Sequence, residues 1–288
     1  MSRRRRGKVR SPTEGLRVTP FRPPRSESDP PFANPKCYAK CLNDCSPKMS
    51  GEHYFTYDIL RKITKDPRGV FLRGVPWQPE GIWLQPESVT ANILCERHNR
   101  ALSPLDGFAS ALDDELHRIL TAAERHQRVS TSIRFYGPNL ERWLMKTLCG
   151  LACARPKQAF PDPSNAVIPD YWVRYLFSEF DLQPPAGLYL SGAIGERIPS
   201  AVDHFTIATM NANGYLAGVM VHMRMIVFTL LARPAEGRFA GMLNDQSIRR
   251  PRALSFQSAR TEWRLEFIGP GFSGPSINYR VAVAEGAA

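Results

Sequence analysis

"CYAKCLNDCSPKMSGEHYF", residues 37–55, sets three cysteines at intervals of four ahead of an adjacent glutamate and histidine. Further on, "NILCERHNRALSPLD", residues 92–106, brings a cysteine, a histidine and an asparagine within five positions. Tetrahedral zinc takes four thiolate or imidazole ligands, commonly as two short pairs from separate turns. Cys95 and His98 make one such pair. Cys37, Cys41 and Cys45 offer three candidates for the two remaining places, and their spacing does not choose between them.

Groups suited to phosphodiester hydrolysis stand beside these ligands. Such a reaction needs a base to activate water and a divalent ion to neutralise the phosphate. His53 suits the base, because an imidazole with an ordinary pKa near ~6.5 is largely neutral at working pH. Glu52 and Asn99 offer the few oxygen ligands that Mg²⁺ or Mn²⁺ takes from a protein. Adjacent residues of a regular strand face opposite sides, so Glu52 and His53 share a task only if the backbone is irregular there. Gly51 makes that irregularity cheap. If a helix begins near His98, Asn99 lies about 100° round from it, so that one residue faces zinc and the other the catalytic ion.

The chain of 288 residues is long enough for one large domain or two moderate ones. Its longest apolar run, "MIVFTLLA" at 225–232, is far short of a membrane span, and the start lacks the apolar stretch of a signal peptide. An intracellular, cytoplasmic protein with no membrane association is the expectation, with oligomeric state left open. Six cysteines in that compartment argue for metal or structural thiols over disulfides. The formal charge of +11 is uneven: residues 1–30 hold nine Arg or Lys against three acids, a net +6. Arg3, Arg4, Arg5, Arg6, Lys8 and Arg10 make this a basic, disordered tail over 1–33 that suits a phosphate backbone, with DNA the first partner.

A module over 34–107 follows, with a short helix at "YDILRKIT", a loop over 67–88 and a strand at "SVTANIL". Ser103, Pro104 and Asp106 read as the N-cap, first position and capping carboxylate of the next helix. In "GPNLERWLMKTLCGLAC", residues 137–153, Leu140, Trp143, Leu144, Leu148 and Leu151 form a buried stripe. Glu141 and Arg142 are then surface groups, and Cys149 and Cys153 core thiols. From about 186 the pattern turns to strands, with an Asn-Gly hairpin in "NANGYLAG" and structural roles for His204 and His222. Residues 108–288 thus form an α+β C-terminal domain of unknown role.

Taken together, "GEH" and "CERHN" resemble the HNH endonucleases, zinc-stapled members of the ββα-metal nucleases. The acidic-residue-plus-histidine pair resembles Glu52-His53, and the "CxxCN" turn resembles "CERHN", with His98 in place of the second cysteine. More narrowly, the two stretches with "LERWLMKTLCG" are similar to a poorly characterised bacterial group with the patterns CYA…CS.K.S.EH and LC.RHN..LSPLD, which favours Cys37 and Cys45 over Cys41 as ligands. The middle asparagine of the HNH pattern, which fixes the loop bearing the base, is Thr90 here, and Asn92 is out of register. The resemblance implies an α+β protein with a small zinc-stapled ββα-metal module, then a helical segment and a β-rich domain. It implies a bacterial nuclease with His53 as general base, Glu52 and Asn99 on Mg²⁺ or Mn²⁺, and structural Zn²⁺ on Cys37, Cys45, Cys95 and His98. The rival expectation is a catalytically inactive zinc module that binds nucleic acid or a protein partner.

Overall fold

The computed structural model describes residues 31–64, 66–72, 80–154, 168–177, 180–191, 196–199, 205–212, 215–233, 243 and 246–282. Residues 1–30 of the expected tail, His204 and the Asn213-Gly214 pair expected to form a hairpin turn lie outside them, whereas Phe32 is bridged to Asp44. In chain order the elements are β1 (Met49–His53), α1 (Tyr57–Ile63), β2 (Val70–Leu72), β3 (Ile82–Leu84), β4 (Thr90–Cys95), α2 (Glu96–Glu124), β5 (Val129–Tyr136), α3 (Gly137–Ala154) and α4 (Asp170–Leu176). Then come β6 (Gly187–Ser191), β7 (Glu196–Pro199), β8 (Phe205–Ala212), β9 (Tyr215–Met223), β10 (Ile226–Leu231), β11 (Ser247–Arg249), β12 (Ala253–Gln257), β13 (Thr261–Ile268) and β14 (Ile277–Ala282). The class is α+β.

The first stretch forms an antiparallel pair, β1 on β4, and α2 leaves β4 without a loop. The pairing slips between Ser50 and Glu52, a bulge centred on Gly51. Between the two strands the chain makes α1 and a small β2–β3 ribbon, in which Phe71 pairs with Trp83. Within the loop expected over 67–88, then, a cross-strand aromatic pair holds a short ribbon together.

Helix α2 starts at Glu96, with Cys95 as its N-cap, rather than at Ser103. The expected cap is overruled because Ala101, Leu102, Leu105, Phe108, Ala109, Leu112 and Leu116 continue one buried face through it. Pro104 lies inside the helix and cannot donate to the Arg100 carbonyl. The Ser103 hydroxyl donates to that carbonyl instead, at 3.0 Å. A single 29-residue helix therefore runs unbroken across position 107.

The remaining strands form two five-stranded sheets, in the orders β11-β6-β10-β9-β8 and β5-β13-β12-β14-β7. The first is antiparallel throughout, and its β8–β9 register sets Ala212 opposite Tyr215. In the second, β5 joins β13 in parallel although more than a hundred residues separate them, so the strand before α3 closes a sheet built from the end of the chain. The main hydrophobic core runs from Cys37 to Val281 among the described residues, with a small separate cluster of Met210, Ala217 and Leu231. No helix among them is long and apolar enough to cross a membrane.

Helix α3 is buried from Gly137 to Ala152 on every side, which corrects the expectation that Glu141 and Arg142 face solvent. A helix so enclosed must pair each charge it carries. Glu141 accepts from Arg250 Nε and Nη2 at 2.7 and 2.8 Å, from the Tyr175 hydroxyl at 2.7 Å and from the Leu188 amide at 2.7 Å. Arg142 donates to the Tyr175 carbonyl at 3.2 Å. On α2, Asp113 takes a bidentate pair from Arg224 at 2.8 and 3.0 Å, pinning the β9–β10 turn. At Gly150, α3 comes so near the chain after β1 that an added Cβ would lie 2.4 Å from Tyr54 Cβ.

Removing one partner of such a pair strands the other charge. Arg250→Met is expected to lower unfolding stability by about 3–5 kcal/mol. Chemical denaturation followed by circular dichroism checks it, and a loss within experimental error of zero would show that Tyr175 and the Leu188 amide suffice for Glu141.

Candidate metal centre and the neighbouring histidine

Four buried donors converge where the 37–45 segment meets the β4–α2 junction. The Sγ atoms of Cys37, Cys45 and Cys95 and a ring nitrogen of His98 all lie within 4.8 Å of one another. His98 Nδ1 is 3.2 Å from Cys95 Sγ, 3.5 Å from Cys37 Sγ and 3.8 Å from Cys45 Sγ. Three sulfurs and one imidazole in a closed, buried group are the donor set and number of a structural metal site such as zinc takes.

The backbone explains how they meet. A short 3-10 turn at Lys40–Leu42, ended by Asn43 in left-handed conformation, folds the cysteine segment back on itself. The Tyr38 amide donates to the Ile93 carbonyl at 3.0 Å and the Glu96 amide to the Lys48 carbonyl at 2.9 Å, so the segment is tied at one end to β4 and at the other to the start of α2. Cys41, on that turn, is only partly buried and hydrogen-bonds towards Asp170 of α4. Burial, then Asp170, pushes its thiol up to about 11.

The cluster is tuned by neighbours. Cys95 is held well below the usual thiol range, first by a hydrogen bond from the Cys37 thiol and then by His98, against its burial. Cys37 is pushed up by that same bond and by burial. The Ser46 amide points at Cys95 Sγ at 3.4 Å and the Cys95 amide at Cys37 Sγ at 3.5 Å. His98 Nε2 lies 2.9 Å from Asp44 Oδ1, and Arg97 Nε reaches Asp44 Oδ2 at 3.3 Å. A carboxylate on the far nitrogen fixes the ring and leaves Nδ1 as the donor facing the sulfurs. Sequence reasoning missed Asp44; its signal is an acid next to a ligating cysteine.

The other candidate residues occupy β1 and the first turn of α2. Glu52 is buried and turns towards α3, where its Oε1 is 2.6 Å from Lys146 Nζ. Burial pushes its carboxyl up to about 7 in spite of that ammonium. Lys146 also meets Asp106 Oδ2 at 2.7 Å. Burial works against its charge, but Glu52 and Asp106 outweigh it and raise its pKa. Asp106 is therefore an ion-pair partner inside α2, not a cap. Its Oδ1 accepts from the Thr56 hydroxyl at 2.9 Å, which accepts from Trp143 Nε1 at 2.9 Å.

His53 is half-buried, its ring 4.9 Å from that of Tyr57. Tyr57 in turn donates to Glu87 at 2.8 Å. Asn99 Nδ2 donates to Ser50 Oγ at 2.8 Å and reaches the Gly51 carbonyl at 3.5 Å, so α2 holds the bulge that precedes His53. Thr90 is opposite His53 in the strand register and makes no comparable tie to β1. The structure thus brings Asn99 to β1 and gathers Glu52, Lys146 and Asp106 beneath it.

The chain matches no protein-family model, no curated protein and no solved structure. The site is accordingly read from its own geometry.

Two outcomes follow. Asp44→Asn is expected to weaken zinc binding about 10–100-fold, while Cys41→Ser leaves it unchanged; competition with a chromophoric chelator measures both. Desolvation lowers the His53 pKa, Asp106 and Glu87 opposing it. The folded chain then binds the His53 proton less tightly than the unfolded chain, so this group costs stability as pH falls from the ordinary imidazole value through the folded one. An imidazole resonance of His53 should titrate with a midpoint below ~6.5, and a midpoint above it would contradict the burial argument.

Proposed function

We propose that this protein is a zinc-stapled nuclease of the HNH type, which hydrolyses nucleic-acid phosphodiester bonds with His53 as general base. The observation that supports it most is the joint placement of His53 and Asn99 on a bulged strand and a helix that leave the same four-donor cluster. Zinc on Cys37, Cys45, Cys95 and His98 would lock the β4–α2 junction and so the frame of the site. His53, half-buried and kept neutral by desolvation, can accept a proton from water or a ribose hydroxyl near neutral pH. Asn99 keeps the Gly51 bulge in place, which sets the direction of His53. Nucleic acid as substrate is supported by the +11 charge, most of it on residues 1–30.

Mg²⁺ or Mn²⁺ on Glu52 is a poorer fit. The carboxylate is 3% exposed and faces an ammonium, so it offers no open ligand oxygen at the strand surface. That same pair favours a second reading, a catalytically idle zinc module that binds nucleic acid.

Incubation of the protein with plasmid, single-stranded DNA and RNA, in Mg²⁺, Mn²⁺ or a chelator, separates the two. Cleavage is expected from the wild type, and His53→Ala should lose about 10²–10⁴-fold of it with zinc content and melting temperature unchanged. Equal rates in both would place the base elsewhere. Binding without cleavage of any substrate would leave the idle module.

A further inference from the structure

Glu52, Asp106 and Lys146 come from three different elements, β1, α2 and α3, and meet at one point. Two carboxylates drawn this close repel unless a cation lies between them. Lys146 Nζ sits between Glu52 Oε1 at 2.6 Å and Asp106 Oδ2 at 2.7 Å, with its own side chain 3% exposed. The contact to Asp106 is a directed hydrogen bond. At Glu52 the fully buried Oε1 meets the same ammonium in a charge-assisted contact. One ammonium thus occupies the place between two carboxylates that a bound cation would take.

We propose that the Lys146 ammonium is the resident cation of a Glu52–Asp106 carboxylate site, built into the fold where a divalent ion would otherwise be held, so that this module takes no divalent ion there. Glu52 and Lys146 are enclosed, while the Asp106 side chain is 28% exposed. Thr56 and Trp143 fix Asp106 from the other side through the 2.9 Å relay, and α3 carries Lys146 in on a helix with no exposed face. Lys146 does not reach the surface, so it is a positioning residue: it holds both carboxylates in place under β1. The inference rests on these contacts and not on the nuclease reading, and its test needs no cleavage.

The test is Mn²⁺ binding, followed by electron paramagnetic resonance of free Mn²⁺, on zinc-loaded full-length protein. Wild type is expected to bind no Mn²⁺ at this site up to millimolar concentration. Lys146→Met should bind one Mn²⁺ per chain, and its melting temperature, lowered by the lost pair, should rise with Mn²⁺ while that of the wild type does not. Adding Asp106→Asn to Lys146→Met should abolish that binding. Wild-type binding that Glu52→Gln or Asp106→Asn removes would overturn the proposal, since the ammonium would then not fill the site. So would a folded, zinc-loaded Lys146→Met that binds no Mn²⁺, because the carboxylates would then not form a cation site. Should Lys146→Met fail to retain zinc, Lys146→Gln replaces it, and the wild-type arm decides by itself in either case.

Discussion

Helix α3 carries charges yet has no side open to water, and that conflict organises the molecule. Each charge has to find its partner on whatever element lies against it, because an unpaired buried charge costs several kcal/mol. Lys146 finds Glu52 on β1 and Asp106 on α2. Glu141 finds Arg250 between β11 and β12, Tyr175 on α4 and an amide at the start of β6. Arg142 finds the end of α4. The helix is thus a rod whose polar residues, with the Trp143 indole on Thr56, fix the azimuth of the elements around it, while its leucines supply undirected burial. Gly150 completes the arrangement by letting the rod lie against Tyr54, directly after the strand that bears Glu52 and His53.

This also explains why a boundary near position 107, natural from the motifs, does not correspond to a break in the packing. The segment holding the cysteines and histidines touches α2 and α3, and these in turn carry both large sheets. Strand β5, between the two helices, is completed only by β13 from the far end of the chain. The module of 34–107 borrows its third wall, Trp143 and Lys146, from the part of the chain beyond it.

What could be read from the sequence was local. The Cys95–His98 pair, the short helix after residue 56, the strand before Cys95 and the Gly51 irregularity each depend on neighbours within a few positions, and spacing carries that information. Of the metal-like cluster, spacing showed Cys95 and His98 and left three cysteines for two places, and only the family resemblance favoured Cys37 and Cys45. What could not be read was the partner of a charge. Glu141 and Arg250 are 109 positions apart, and a lone Glu-Arg dipeptide on a helix looks the same whether solvent or an arginine from far along the chain lies beside it. Asp106 was misread because Ser103-Pro104 is a strong start signal, whereas the buried face running on from Ala101 is weaker locally and wins only through tertiary packing.

The first turn of α2 shows how tightly the metal centre and the neighbouring histidine are coupled. Cys95 ends β4 and caps the helix, His98 turns inward to the sulfurs and Asn99 turns to the bulge in β1. Successive helical residues differ by about 100°, so His98 and Asn99 can serve two different structures only if the helix starts at a fixed residue. Starting it one residue later would rotate the imidazole out of the cluster and the amide away from Ser50 together. Asp44 guards against that by holding the far nitrogen of His98, and Lys48 guards the other end by accepting the Glu96 amide. A metal held by Cys95 and His98 would therefore fix more than a loop. It would set the helical phase, and through Asn99 the shape of the strand that aims His53.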